Sequence, residues 1–448
     1  MPCDKLLAIG LLGLPLFGQL QNRPPVLQLS LKQAVEIAVA PEGNTRVRLA
    51  EEALKQAQTR ADQARAALLP DVSAYVQDQS QTNNLKAFGF KFPAVPIPGF
   101  NFDFPTFVGP FDVFDVRTSV NQNVFDFSVL RRYRASKVAI EAVKADNEGT
   151  RDQVTDQVAR AYLAALQADA TLETAHANVE LSQALLRLAN SQKAAGTGTG
   201  IEITRAEVQL ANDRQQLLVA QNQVDRTRLQ LMKVIGLRLD NPVELTGKLE
   251  YIPLDAIAPE QALKSAGEHR AELKAQQHRE ENARLNYSAT KFERLPTLGA
   301  FANYGDLGSA ITSAVPTRTY GITLKVPIFD GGRRDARRAE SASLWRQEKI
   351  RMVDLRDQVE LDVRLALDEL HSADAQVKTA EEGITLAQNE LAQAERRYRA
   401  GVTNSIEVTD AQTRLARARD NRVNALYNYN LARIDLGTAM GTIQSMIQ

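Results

Sequence analysis

Apolar residues recur every three or four positions along two long stretches of this chain. In residues 363–398 large apolar residues alternate with alanine through five heptads, and a similar seam lies 205 positions earlier, in residues 158–193. Such a seam is typical of helices packed side by side, and alanine at alternate core positions allows the helix axes to approach closely. We therefore predict two long helical hairpins, at 128–236 and 333–441, each turning at a glycine-containing break.

Four other segments alternate apolar and polar residues with a period of two. They lie at about 71–82, 115–125, 297–305 and 319–328, and one pair precedes each predicted hairpin. The pattern is typical of membrane-barrel strands, and also of an edge hairpin in a soluble α+β domain. The matched positions favour the barrel. Because small membrane barrels have at least eight strands, four strands require further copies of the chain to close one.

Short motifs indicate an internal tandem duplication. Arg151-Asp152-Gln153-Val154 recurs as Arg356-Asp357-Gln358-Val359, and Val124-Phe125-Asp126 matches Ile328-Phe329-Asp330. We predict a first repeat at 22–236, a connector at 237–256, a second repeat at 257–441 and a tail at 442–448. Each repeat is expected to begin with a helix ahead of its first strand.

The N-terminal segment, 1–21, resembles a signal peptide. Lys5 precedes an apolar run from Leu6 to Phe17, which is too short to span a bilayer as a helix and suits a signal-peptide core. The alternatives are a buried N-terminal helix or a frayed tail. The pattern does not fix a cleavage site.

Composition narrows the function classes. The 54 Lys and Arg residues balance 54 Asp and Glu residues, which argues against a nucleic-acid partner. One cysteine, Cys3, and four scattered histidines indicate neither a metal site nor a redox centre. No nucleophile–base pair, phosphate-binding loop or dinucleotide motif is present. We expect a protein without enzymatic activity, metal or cofactor.

Phenylalanine is concentrated in residues 83–114, between the first two predicted strands. Nine of the 15 Phe residues lie there, with five prolines. If the strands form a barrel, this segment is an extracellular loop or an extension of the strands. The side chains would then form a lid over the channel or pack against lipid or a neighbouring loop. The candidate lid residues are Phe88, Phe90, Phe92, Phe100, Phe102, Phe104 and Phe107.

Several motifs together resemble the TolC-like outer-membrane efflux family over nearly the whole mature chain. They are Leu29–Ala34, Val326–Arg333, Arg397-Tyr398, Gly401-Val402 and Ile406-Glu407-Val408. Two departures are Thr45 after Asn44, where the family often has proline, and Phe127-Ser128, where the second half has a glycine pair.

The resemblance implies a mainly α fold with a membrane β-barrel. Three identical chains would form a 12-stranded barrel in outer-membrane lipid and a 12-helix tunnel across the periplasm. Such a protein is the exit duct of a tripartite efflux pump or a type I secretion system. Its partners would be a periplasmic adaptor (a membrane fusion protein) and an inner-membrane transporter of the RND, ABC or MFS type. The alternative is a soluble or periplasmic coiled-coil scaffold or adaptor protein, which would have no use for the four alternating segments.

The resemblance also implies a gate at the hairpin tips. Glu407 and Asp410 match the family's acidic rings and lie three residues apart, so threefold symmetry would place them around a constriction. Glu202 and Tyr398 match a latch pair, whereas Thr403 replaces the arginine of a second latch. The alternative is that these carboxylates face solvent and favour the positive end of the return helix.

The turn residues at the two tips are the candidate adaptor contact. Their alternative role is ordinary turn formation, for which glycine is suited. They are Gly196, Thr197, Gly198, Gly200, Gly401, Val402 and Thr403.

Overall fold

The computed structural model describes residues 27–89, 106–254 and 257–447. The predicted signal peptide and five candidate lid residues (Phe90, Phe92, Phe100, Phe102 and Phe104) lie outside these ranges.

The described chain contains nine α-helices, six strands and two short 3₁₀ turns, at Leu85–Phe88 and Ile311–Ser313. The helices are α1 (Leu31–Val39), α2 (Thr45–Ala66), α3 (Phe127–Ala194), α4 (Gly200–Ile235), α5 (Pro259–His269), α6 (Ala271–Phe292), α7 (Arg333–Arg399), α8 (Ser405–Ala439) and α9 (Ile443–Ile447). The strands are β1 (Leu27–Leu29), β2 (Asp71–Asn84), β3 (Phe107–Phe125), β4 (Val243–Leu245), β5 (Thr297–Gly308) and β6 (Val315–Lys325).

The same order of elements occurs twice along the chain. Two helices, two long strands, a long helix and a return helix run from α1 to α4, and again from α5 to α8. Two helices therefore precede the first long strand of each half, where we expected one. A duplication of the sequence stays a prediction.

The four long strands form one antiparallel sheet in the order β2-β3-β5-β6. The register places Val72 beside Val120, Val120 beside Ala302, and Ala302 beside Tyr320, so most apolar residues of the four strands share one side. Tyr75 and Phe301 are exceptions and lie on the other side. We call this side the apolar face. Its members are Val72, Ala74, Val76, Val116, Val120, Leu298, Ala300, Ala302, Tyr304, Tyr320, Ile322 and Leu324. The opposite, polar face carries Ser73, Gln77, Arg117, Ser119, Asn121, Asn303, Thr319 and Thr323.

Several strand ends differ from the sequence prediction: β6 begins at Val315 rather than about 319, and β5 ends at Gly308 rather than about 305. β6 ends at Lys325, ahead of the predicted 328, because Pro327 has no N–H to donate to a sheet. β3 begins at Phe107 rather than about 115, and pairs with β2 beyond the end of β5. The start of β3 therefore belongs to a two-stranded ribbon that projects past the rest of the sheet.

Each half is dominated by a helical hairpin, in which α3 packs on α4 and α7 packs on α8. With 68 residues, α3 is about 100 Å long at 1.5 Å per residue. Most of the predicted seam of α7 is buried, including Val363, Leu370 and Leu391. Helix α3 also contacts α2, α6 and α8, so it joins the two halves.

Local sequence explains where the long helices begin and end. The Asp126 carboxylate accepts hydrogen bonds from the backbone N–H groups of Ser128 (2.8 Å) and Val129 (3.1 Å), which caps the start of α3. At the tips, Gly196 and Gly401 adopt φ values of 75° and 70°, which other residues rarely adopt. Each turn follows a helix of 67 or 68 residues that starts next to the sheet, so both turns lie at the same end of the molecule, about 100 Å from the sheet.

Two buried tyrosines hold the connector between the halves. The Tyr162 hydroxyl donates to the Leu29 carbonyl and accepts from the Gly247 N–H, both at 3.1 Å. The Tyr429 hydroxyl donates to the Ile252 carbonyl (3.0 Å) and accepts from the Leu254 N–H (3.2 Å). The connector is thereby fixed across the middle of the helical region.

No helix in the described ranges is both long enough and apolar enough to cross a membrane. Within the same ranges, no three or more His, Cys, Asp or Glu residues lie together as a metal site would require.

Candidate functional site at the hairpin tips

The tips of the two hairpins lie side by side. The Gln192 side-chain amide donates to the Tyr398 carbonyl at 3.1 Å, which ties the end of α3 to the end of α7. Leu181, Leu185 and Leu188 of α3 pack against an apolar cluster formed by the tip of α7 and α8. The two hairpins therefore form one packed unit at this end of the molecule.

Most of the candidate adaptor residues are exposed at these two turns. Val402 exposes 70% of its surface, although it is apolar. Thr403 and Gly198 are half-buried, since the Thr403 hydroxyl donates to Glu407 and Gly198 lies close to Gln192. Each turn therefore presents an exposed surface at this end of the molecule.

No hydrogen bond joins Tyr398 and Glu202, the predicted latch pair, within the described chain. The Glu202 carboxylate instead accepts from the backbone N–H of Thr199 at 2.8 Å, as part of a capping box at the start of α4. The Tyr398 hydroxyl is buried and has no hydrogen-bond partner among the residues that the structure describes. Burial, and to a lesser extent the nearby Glu202 charge, raise the pKa of Tyr398 above its ordinary value. Tyr398 and Glu202 are neighbours, but the Glu202 carboxylate caps α4 and does not bond to the Tyr398 hydroxyl.

The two candidate ring carboxylates each contact a guanidinium group of the same chain. Glu407 accepts from the Thr403 hydroxyl and lies 3.4 Å from Nε of Arg397. Asp410 accepts from Nη2 of Arg414 at 2.7 Å. These side chains are half-exposed, so their charges are partly balanced while remaining accessible.

Arg414 also reaches a third carboxylate. Its Nη1 donates to Glu390 of α7 at 2.9 Å, so one guanidinium bridges Glu390 and Asp410 across the hairpin. Any ring formed by Asp410 would therefore contain arginine as well as carboxylate. Spacing along the sequence could not predict this, because Glu390 and Asp410 are 20 residues apart on opposite arms of the hairpin.

A buried polar cluster further along the tip was missed by the sequence analysis. The Asp213 carboxylate on α4 accepts from the Ser182 hydroxyl on α3 and from the Gln412 amide on α8, the latter at 3.4 Å. Gln209 donates to its other oxygen at 3.1 Å. We call Ser182, Asp213 and Gln412 the inter-hairpin joint. Each is less than 9% exposed, and together they connect the first hairpin to the return helix of the second.

One sequence signal could have pointed to the joint. Ser182 occupies a seam position, whereas the other seam positions between 158 and 189 are valine, leucine or alanine, and a buried hydroxyl needs a partner. That signal does not identify the partner, because Asp213 and Gln412 lie 31 and 230 positions away.

The two candidate lid residues within the described ranges are strongly exposed. Phe107 pairs with Asn84 at the far end of the β2–β3 ribbon, and Phe88 lies in the turn that follows β2. Both are thus at the end of the sheet opposite the helices. Their role as a lid stays a prediction.

Comparison with known proteins identifies the family. The family model for outer membrane efflux proteins matches residues 37–237 and 262–442. The chain belongs to the outer membrane efflux protein family. The match includes all four long strands and both hairpins.

Individual relatives agree with this assignment. The pyoverdine export outer membrane protein OpmQ of Pseudomonas putida is 25% identical over 87% of this chain and 81% of its own length. The alkaline protease secretion protein AprF of Pseudomonas aeruginosa is 25% identical over 71% of this chain and 68% of its own length. The crystal structure of the outer membrane protein VceC from Vibrio cholerae superposes on this chain with a TM-score of 0.76. The superposition covers 92% of this chain and 96% of VceC, and the two sequences are 20% identical.

Family membership confirms the predicted function class and location. The protein is an outer-membrane efflux channel whose helical part extends into the periplasm. The mainly helical fold of a TolC-like channel is likewise confirmed, and the soluble scaffold is not supported. The family consists of transport proteins.

Proposed function

We propose that three copies of the chain assemble into one channel. Three four-stranded sheets would close a 12-stranded barrel in outer-membrane lipid, and the hairpins would form a 12-helix tunnel. The single observation that supports this best is the two-faced sheet, whose apolar face is solvent-exposed and whose outer strands, β2 and β6, each pair on one side only within the described chain. An edge strand with unpaired backbone groups is not tolerated in lipid, so closure by further copies satisfies both requirements.

The junction after β6 supports the same assembly. Ile328 and Phe329 leave about nine-tenths of their surface exposed next to the open edge of the sheet. Side chains of this kind are usually buried. A neighbouring subunit or the bilayer would cover them.

The mass of the detergent-solubilised protein tests this assembly. We expect light scattering, corrected for bound detergent, to give about three times the mass of one chain, which is 49.4 kDa with the predicted signal peptide included. A single subunit would contradict the proposal, as would a protein that stays monodisperse in buffer without detergent.

We further propose that the tips dock a periplasmic adaptor, which links the channel to an inner-membrane transporter. The proposal follows from the exposed apolar residue at the second turn and from the hydrogen bond that ties the ends of α3 and α7 together. OpmQ is named for pyoverdine export and AprF for alkaline protease secretion, so both small-molecule efflux and protein secretion remain candidates for this chain. The transporter, a separate polypeptide, would select the substrate.

A charge at Val402 tests the docking surface. We expect Val402→Asp to reduce efflux or secretion in cells at least tenfold, because a carboxylate in an apolar contact costs about 2 kcal/mol or more to desolvate. Trimer yield and single-channel conductance should not change.

Ile311→Asp provides a matched control. Ile311 is 74% exposed, close to the 70% of Val402, but it lies in the turn between β5 and β6 at the other end of the molecule. Equal activity of the two variants would remove the tip from the adaptor contact.

We also propose that the tips form the gate. Glu407 and Asp410 would line the constriction with their arginine partners, while Glu202 and Tyr398 flank it. The buried Tyr398 hydroxyl supports a tip that rearranges, because a buried polar group without a partner is costly and gains a hydrogen bond if the helices shift.

A further inference from the structure

Positive charge is concentrated where the sheet joins the long helices. Residues 126–137, 287–294 and 330–338 contain ten lysines and arginines but four aspartates and glutamates, in a chain whose total charges balance. All three segments border the ends of strands β3, β5 and β6. We call them the basic belt.

An aromatic cluster connects this belt to the apolar face of the sheet. Phe125 pairs with Leu298, a member of the apolar face. The ring of Phe125 contacts that of Phe127 (centroids 4.4 Å apart), which in turn contacts Phe292 (5.6 Å). The Arg131 guanidinium lies 5.5 Å from the centre of the Phe292 ring. Arg131 is therefore one helical turn into α3, at the border of the apolar face that adjoins the helices.

The charges around Arg131 leave an excess of cations. Arg132 and Arg337 both pair with the carboxylate of Glu293, the latter at 2.6 Å. Arg131 forms no ion pair within the described ranges. Two guanidinium groups thus share one carboxylate, and Arg131, the one nearest the aromatic cluster, has no acidic partner in the described chain.

We propose that this cluster binds the headgroup of an anionic phospholipid from the membrane leaflet on the periplasmic side. The lipid phosphate would contact Arg131, with the acyl chains along the phenylalanines and the apolar face. Guanidinium groups match phosphate oxygens in geometry and charge, and aromatic residues are favoured at the boundary between lipid and water. The proposal rests on the proposed insertion of the sheet into a bilayer.

Native mass spectrometry of the channel from nanodiscs tests the site. The nanodiscs contain equal amounts of phosphatidylglycerol and phosphatidylcholine, and the retained copies of each lipid are counted. We expect the wild-type protein to retain phosphatidylglycerol preferentially, and Arg131→Gln to reduce that preference about fivefold, the effect of one cation near an anionic surface. Arg131→Lys should keep most of it.

Arg187→Gln is the matched control. Arg187 is on the same helix, is exposed and forms no ion pair in the described chain, but lies about 84 Å further along α3. A wild-type protein that retains both lipids equally would overturn the proposal, and so would an Arg131→Gln variant that matches Arg187→Gln. Failure to enter phosphatidylcholine vesicles at all would instead contradict the insertion of the sheet.

Discussion

Replacing Asp213 with alanine is expected to open the periplasmic end of the channel. The substitution leaves the Ser182 hydroxyl and the Gln412 amide without their shared acceptor in a buried position. Hydrogen bonds to a charged group contribute about 1.5–3 kcal/mol each, so loss of the joint should shift the balance between closed and open tips by about 3 kcal/mol. That corresponds to roughly a hundredfold change in the ratio of the two states.

The measurement is single-channel conductance in planar bilayers. We expect a larger mean conductance and a longer open time for Asp213→Ala, with an unchanged trimer on gel filtration. The tips open in this prediction because the Gln412 amide of α8 loses its acceptor on α4, and its remaining bond to Ser182 of α3 is no longer supported by the carboxylate. The apolar cluster that includes Leu391 and Leu415 remains.

Asp225→Ala is the control for this experiment. Asp225 lies on the same helix, α4, and is exposed, without an ion pair in the described part of the chain. If both variants conduct like the wild-type protein, the joint does not hold the gate. A milder effect is expected for Asp213→Asn, since its remaining oxygen can still accept one hydrogen bond.

Removing Arg414 is expected to make the channel more selective for cations. Arg414 balances the charges of Asp410 and Glu390, and its replacement by glutamine leaves both carboxylates uncompensated. Three symmetric copies would lose three positive charges at the constriction. At a solvated distance of about 4 Å one charge contributes roughly 1 kcal/mol, so the loss of three predicts an increase of at least about fivefold in the cation-to-anion permeability ratio.

Reversal potentials in a salt gradient measure this ratio, and divalent cations should block Arg414→Gln at lower concentration than the wild-type protein. The converse variant, with Glu407→Gln and Asp410→Asn together, should lower cation selectivity. Arg364→Gln is the control, because Arg364 is similarly exposed and paired with Glu360 at 2.7 Å but lies far from the tips on α7. Unchanged selectivity in both tip variants would place the constriction elsewhere.

Local patterns accounted for much of the fold. A seam such as Val363, Leu370 and Leu391 identifies a helix because only one face of a long helix is buried. Apolar residues on that face recur every three or four positions along the sequence. The alternation in 71–76 and 298–304 likewise records which side of the sheet is apolar. The start of β3 was misplaced because the Phe-rich ribbon does not alternate with a clear period.

The candidate gate was less accessible to sequence reasoning. Glu202, Tyr398, Glu407 and Asp410 do lie near the tips, but their partners depend on packing. Glu202 caps its own helix instead of reaching Tyr398, and Thr403 contacts Glu407 in the place where the resemblance suggested a latch. Glu202 can either cap its own helix or contact Tyr398. It forms the cap, because the Thr199 N–H lies within reach in the first turn of the same helix.

The amino-acid sequence by itself determined the secondary structure, the two-faced strands and the family of this protein, because each depends on spacing or on local motifs. Only the tertiary structure decided which charges are balanced and which polar groups meet. Asp213 and Arg414 acquire their partners from helices that are distant in sequence, and the angle and register at which those helices pack are set by the whole core.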